Sequence, residues 1–273
     1  MEPTSTGASR TTTDELYWEA RGAGAPVLLI AGSPGDGAQF ETVAQRLADN
    51  HLVITYDRRG TSRSAHLPQH DTTSVAEHAD DAAGLLSAIG VDQAVAFGTS
   101  NGAAIALELA LRHPRRLAGV MLHEMPLLSV LREPEPVASA IGSLIGEAMQ
   151  RGGPAVALEA FLRFAFGAAI VDAWPDELRQ RMLSNADMVL SIEMPAFGSY
   201  RPDEQALAAN VTPAAVLIGE AQGLALFSEA AQWLATRLST QVTRAPDAHG
   251  PQFSCPDALA ATISDFVASV PAG

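Results

Sequence analysis

A single cysteine, Cys255, stands among 273 residues, so the chain can neither close an internal disulfide nor assemble a cysteine metal cluster. It has no uninterrupted apolar stretch of the roughly 18 residues a membrane-crossing helix needs. Positive charge is scarce, with 17 Lys plus Arg against 31 Asp plus Glu and a net charge of −14. That balance repels nucleic-acid phosphates and anionic membranes, which argues against both as partners. Residues 1–13 are rich in Ser and Thr and lack the apolar core of a secretory signal, so a flexible N-terminal tail is expected. These absences together lead to the expectation of a soluble, cytoplasmic protein. Charged residues make up only 18% and hydrophobic ones 47%, which argues against a disordered chain. The apolar mass suffices for one large α/β domain with an insertion, or for two small domains.

What is present is a rhythm. Short apolar runs at residues 26–30, 51–56, 94–97 and 117–122 alternate with helical spacing at 40–49, 75–89 and 101–112. Residues 16–18 read as an edge strand. Apolar runs without period-two alternation, separated by amphipathic helices, indicate a parallel sheet covered on both faces. Ser33, Asp57, Ser100 and Glu124 each follow such a run, and ligands of parallel sheets gather at that carboxyl edge. From 125 to 212 the pattern is helical and broken by Pro and Gly. Strand and helix alternation resumes at 214–218, 228–238, 241–244 and 256–267. The division expected is a core of 14–124 and 213–273 with a helical cap of 125–212, long enough to be a lid rather than a connection.

The chemistry centres on Gly98-Thr99-Ser100-Asn101-Gly102, placed between an apolar strand and a helix. A serine on such a corner projects its hydroxyl out of the sheet, and the glycines allow close backbone crossing. An unassisted hydroxyl is a weak nucleophile and needs a base. His249, in the loop between the last strand and the last helix, is the best placed of the seven histidines. His113, at a helix end before proline, reads as structural. His66 and His70 are four apart, but Pro68 denies them a common helical face, so no metal site is expected there.

These segments, with Gly32-Ser33-Pro34-Gly35, Tyr56-Asp57-Arg58-Arg59-Gly60 and Ala248-His249-Gly250, resemble the α/β-hydrolase superfamily with a helical cap. The likeness is to small bacterial esterases and natural-product-tailoring hydrolases, aclacinomycin methylesterases among them. It implies an α/β-hydrolase fold, a mostly parallel doubly wound sheet, with Ser100 as nucleophile and His249 as base. Backbone N–H groups of Ser33 and Asn101 would form the oxyanion hole. Asp57 and Arg58 would be structural. The family's usual acid is missing, because Ala221 and Gln222 occupy its customary slots after the strand that follows the cap. Some members of the family supply the acid from the end of the strand before the cap, and Glu124 there is the expected third catalytic residue, with Glu220 or a Ser–His pair without an acid as the alternatives.

The resemblance implies a cofactor-free, metal-free serine hydrolase cleaving a carboxylic ester, thioester or lactone of a hydrophobic small molecule through an acyl-enzyme. A C–C bond hydrolase, perhydrolase, lyase or cyclase is the alternative, and a silent ligand-binding receptor the more distant one. The cap offers Phe161, Phe164, Phe166, Trp174, Met182, Met188, Met194, Phe197 and Tyr200. Of these, Phe164, Trp174, Met188, Met194 and Phe197 are expected to line an apolar substrate pocket.

Overall fold

The computed structural model describes residues 5–11, 14–65, 72–220 and 225–271. Its strands are β1 (Ser5–Thr11), β2 (Asp14–Arg21), β3 (Ala25–Ile30), β4 (His51–Tyr56), β5 (Ala94–Thr99), β6 (Leu117–His123), β7 (Ala214–Gly219) and β8 (Val242–Ala245). They form one eight-stranded sheet in the order β1-β2-β4-β3-β5-β6-β7-β8. β1 and β2 pair antiparallel, as do β2 and β4, and every pairing from β4 through β8 is parallel. Two expectations are corrected at this edge. The segment expected to be a flexible tail contains β1, and the strand expected at the edge is β2, flanked on both sides. The polar composition of β1 hides it, since edge pairing rests on backbone hydrogen bonds rather than on an apolar face.

The core strands are apolar without alternation because each face has its own cover. Leu28, Ile30, Ile54, Ala96 and Val120 point into one cluster, packed with α2 (Val75–Ala88) and α3 (Asn101–Arg112). Val27, Leu29, Val53, Phe97 and Met121 point into the other, packed with α1 (Glu41–Leu47) and α12 (Pro256–Ser269). Side chains alternate faces along a strand, so a doubly covered strand must be apolar at every position. α2 starts where Ser74 accepts a hydrogen bond from the Glu77 amide at 3.1 Å, a serine N-cap in a Ser-x-x-Glu pattern.

Between β6 and β7 the chain leaves the sheet. It forms α4 (Pro134–Phe166), α5 (Ala168–Asp172), α6 (Asp176–Ser184), α7 (Ala186–Met188), a π-helical turn (Val189–Glu193), α8 (Met194–Gly198) and α9 (Glu204–Ala209). α4 is broken at Gly152 and Gly153, where φ is −164° and 80°. Pro154 follows, without the N–H that would carry the hydrogen-bond ladder across. The cap has a core of its own, formed by Leu158, Leu162, Val171, Trp174, Leu178, Met182, Ala186 and Val189. The chain returns through α10 (Ala225–Arg237) and α11 (Pro251–Ser254). No described helix is long and apolar enough to cross a membrane.

Candidate active site

The sheet order turns back between β3 and β5, with β4 on one side of the pair and β6 on the other. A crevice at such a switch point lies beyond the strand ends, and Ser33 and Ser100 both sit there. Ser100 has φ 52° and ψ −129°, a conformation costing about 1–3 kcal/mol for a non-glycine residue. It is held by its own N–H donating to the His123 carbonyl at 2.9 Å and by the Ala103 N–H donating to its carbonyl at 2.9 Å. The flanking glycines are sterically required. A Cβ on Gly98 would lie 2.2 Å from the Gly102 carbonyl oxygen, and one on Gly102 would lie 2.2 Å from that of Ile30.

Glu124 is the carboxylate that meets His249. His249 Nδ1 lies 2.8 Å from Glu124 Oε2, and the Gly219 N–H donates to Oε1 at 3.0 Å. Glu124 also lies in the left-handed region, at φ 42°, and its N–H donates to the Leu217 carbonyl at 3.0 Å. The strained turn after β6 thus points its carboxylate across the end of β7. Gly219 makes room, since a Cβ there would lie 2.4 Å from the Asp247 carbonyl oxygen and 3.0 Å from Glu124 Oε1.

Burial alone would raise the Glu124 carboxyl. The hydrogen bond and charge of His249, with the nearby His123 and the Gly219 N–H, outweigh it and hold the group below its ordinary value. An ionised Glu124 fixes the proton of His249 on Nδ1, which leaves Nε2 for proton transfer. The imidazole is shielded by the Phe227 ring, stacked at 4.7 Å and 11°, and by Phe166 at 5.3 Å. Glu220, the other acid considered, is exposed. Ala221, Gln222, His66 and His70 lie outside the described residues.

Behind this pair sits His123, fully buried, with Nδ1 2.8 Å from Thr99 Oγ1. Burial pushes its imidazole down to about 4, so it is neutral at pH 7.

The turn after β3 approaches the serine closely. A Cβ on Gly32 would lie 2.9 Å from Ser100 Cβ, and Asn101 Nδ2 donates to Ser33 Oγ at 2.9 Å. The first N–H groups of a helix have no carbonyl partner within it, and Asn101 opens α3. Its amide is therefore free for an oxyanion, and the Asn101–Ser33 bond ties the two turns together.

The cap docks on this same turn. Asn185 Nδ2 donates to the Pro34 carbonyl at 2.9 Å and its Oδ1 accepts from the Ser62 N–H at 2.7 Å. Arg181 Nε donates to Asp36 Oδ2 at 2.9 Å. Deeper, Arg58 Nη2 meets Glu193 Oε2 at 2.7 Å with both side chains 0% exposed. Asp57 and Arg58 thus have structural partners, since Asp57 binds the Gly37 N–H and the Arg63 guanidinium. His113 pairs with Asp80 at the surface.

Ser33, Ser100, Asn101 and His249 supply the polar surface of a cavity of about 310 Å³ whose remaining walls are almost wholly apolar. Phe164, Met194 and Phe197 line it as expected. Trp174 and Met188 do not. Trp174 packs into the cap core against Phe166 and Phe253, and Met188 lies against Gly60 at the cap–core seam. Residue type alone does not tell which face of a short helix meets the crevice. Sequence reasoning also passed over Leu226, Phe227, Ile141 and Ile145 in the wall. The helical spacing of Ile141 and Ile145 was the only available signal. Among the described residues no group of three or more His, Cys, Asp or Glu side chains is placed to hold a metal ion.

A mostly parallel sheet that reverses its order beside a strained serine corner, with a helical excursion after β6, is the α/β-hydrolase fold, and this chain has it. The family model described as the alpha/beta hydrolase fold matches residues 25–142. The chain is similar to the uncharacterised hydrolase YraK of Bacillus subtilis, at 42% identity over 116 residues, covering 42% of this chain and 43% of that protein. The chain thus aligns with less than half the length of that curated relative. Among solved structures it is similar to a thermophilic esterase from Thermogutta terrifontis, with a TM-score of 0.76 at 24% identity, covering 97% of this chain and 99% of that one. The N-acyl homoserine lactone degrading enzyme Est816 is similar as well, with a TM-score of 0.71 at 24% identity, covering 95% and 100%.

Proposed function

We propose that the protein is a cofactor-free serine hydrolase that cleaves a carboxylic ester, thioester or lactone of a hydrophobic small molecule through an acyl-enzyme. The observation that carries this reading is the buried 2.8 Å contact of His249 with Glu124, in a cavity shared with the strained Ser100. In this reading Ser100 Oγ attacks the substrate carbonyl and His249 Nε2 takes its proton. Glu124 stabilises the imidazolium without itself taking the proton. The backbone N–H groups of Ser33 and Asn101 receive the oxyanion, and they are oriented before the charge develops. His249 then returns the proton to the leaving oxygen or sulfur, and water repeats the cycle on the acylated serine.

The cavity walls favour a neutral, apolar acyl group, because a charged substrate would lose hydration with no counter-charge to replace it. The esterase and lactone-degrading neighbours of the same fold agree with the reaction class. C–C bond cleavage, perhydrolysis and lyase or cyclase chemistry drew their support from an acid missing after β7. The Glu124–His249 bond withdraws that support.

The test is intact-protein mass spectrometry after mixing with a fluorophosphonate. Stoichiometric labelling is expected for the wild type, with none for Ser100→Ala, together with turnover of p-nitrophenyl esters of medium acyl chains. A folded wild type that neither labels nor turns over any activated ester refutes the proposal.

A further inference from the structure

Two buried polar side chains sit where the sheet calls for apolar ones. Side chains alternate faces along a strand, so Thr99 continues the row of Val95 and Phe97 on β5, and His123 continues that of Met121 on β6. Both rows belong to the cluster packed with α1 and α12. Thr99 is 1% exposed and His123 0%. They stand in register as the last pair between the two strands, with Thr99 Oγ1 2.8 Å from His123 Nδ1. His123 Nε2 has no hydrogen-bond partner. A neutral imidazole carries its one proton on either nitrogen, so in both tautomers a buried polar atom goes unpaired. A leucine would fill the place without that penalty. Charge does not explain the histidine either, because burial holds it neutral at pH 7.

Its place in the chain does. Thr99 immediately precedes Ser100, His123 immediately precedes Glu124, and both followers have a positive φ, of 52° and 42°. Residues in that region persist only where their surroundings over-determine them. Here the two turns are joined twice, by the Ser100 N–H donating to the His123 carbonyl at 2.9 Å and by the Thr99–His123 side-chain bond. The His123 ring also neighbours those of Phe97 and His249, at 6.2 and 6.5 Å.

We infer that Thr99 and His123 are positioning residues, a side-chain clamp that sets the span between the Ser100 turn and the Glu124 turn, and so the approach of Ser100 to His249. The inference rests on the hydrolase reading, in which Ser100 gives its proton to the base that Glu124 holds. The β5–β6 pairing ends at this pair, so no later rung between those strands corrects an error beyond it. A misplacement of about 1 Å at a reacting centre costs on the order of a hundredfold in rate.

The test separates activity from stability. Replacing both partners by apolar groups of similar shape removes the bond without orphaning either side. Thr99→Val combined with His123→Leu is therefore expected to melt at or above the wild-type temperature at pH 7. Its kcat on p-nitrophenyl butyrate is expected to fall about ten- to a hundredfold, with KM within about twofold of wild type. Thr99→Ser keeps the hydroxyl and is expected to keep most of kcat, whereas Thr99→Val alone is expected to lose it as the double variant does. A lower melting temperature with kcat within about twofold of wild type in the double variant marks a merely structural pair and overturns the inference. Equal kcat in Thr99→Val and Thr99→Ser also overturns it, and that comparison stands even if the double variant fails to fold. Either result leaves the hydrolase reading intact as long as the wild type turns over the ester. A wild type inert to the ester and to the fluorophosphonate removes that reading, and the clamp with it.

Discussion

The Arg58–Glu193 pair joins core and cap in a dry environment, and its energetics can be worked out in advance. Each ion loses several kcal/mol of hydration on burial, and the mutual attraction only partly offsets this. The Glu193 carboxyl records which effect wins, since burial raises it above its ordinary value even against the opposing pull of the Arg58 charge and hydrogen bond. Arg58 Nε and Nη1 and Glu193 Oε1 have no hydrogen-bond partner, with the buried His78 Nε2 standing 4.0 Å from Oε1, so the pair is incompletely satisfied. Removing one ion strands the other. Glu193→Leu or Arg58→Met alone is therefore expected to cost about 3–5 kcal/mol. At about 2–4 °C per kcal/mol for a chain of this size class, that is a fall in Tm of roughly 10 °C. The double variant R58M/E193L leaves no orphan charge and is expected to match the wild type or exceed it by about 1–4 kcal/mol. Urea denaturation of the four proteins at pH 7, followed by far-UV circular dichroism, yields the coupling energy directly. If the double variant is as damaged as the two singles added together, or if either single loses less than about 1 kcal/mol, the stranded-charge argument fails.

Glu124→Ala is expected to lower kcat on a p-nitrophenyl ester by about 10²–10⁴-fold with the fold intact, while Glu220→Ala leaves it unchanged; the reverse pattern in steady-state kinetics would overturn the assignment of the acid. Gly32→Ala places a methyl group 2.9 Å from Ser100 Cβ, and about a 10²-fold loss of kcat/KM is expected with native circular dichroism. Activity within about twofold of wild type would show that the turn can give way. His123 makes stability depend on pH. Unfolded, its imidazole takes a proton near 6.5, whereas the folded one resists until about 4. The unfolded state therefore binds more protons across that interval, and stability falls as pH drops through it, by about 3 kcal/mol in all. Urea midpoints measured from pH 7 to pH 4 are expected to show this decline, and His123→Leu is expected to make it shallower, the remainder coming from the buried His78, which burial also holds down; an equally steep decline in the variant refutes the assignment to His123.

Most of the parallel core was legible because a strand buried on both faces must be apolar throughout, and such runs stand out. The helix Asn101–Arg112 was readable to the residue, since a glycine-flanked serine opens it and His113-Pro114 closes it. β1 was illegible for the opposite reason, as its polar run carries no face pattern. In the site, Ser100 and His249 were visible from local context and Glu124 from its place at the end of the strand before the cap, but how its carboxylate reaches His249 needed three dimensions. Nothing in Leu122-His123-Glu124 announces a backbone at φ 42° that turns the carboxylate over Gly219. The cap was hardest. Trp174 and Met188 have the residue types of pocket walls but face the cap core and the seam, whereas Asn185 and Glu193, which dock the cap, look in sequence like ordinary helix-surface residues.

The excursion after β6 begins and ends on neighbouring strands, with Val120 opposite Ala214 and His123 opposite Leu217. Ser33, Ser100 and Glu124 all precede it, and of the residues assigned to the chemistry only His249 follows. The covering helices are therefore spliced in as a cassette whose two ends sit side by side. Grafting a different cassette between those ends leaves Ser100 and Glu124 on the untouched turns that follow β5 and β6, provided that the new piece finds counterparts for Asn185, Arg181 and Glu193. In such a layout the pocket above the strand ends can be reshaped without altering the turns that carry Ser100, Glu124 and His249.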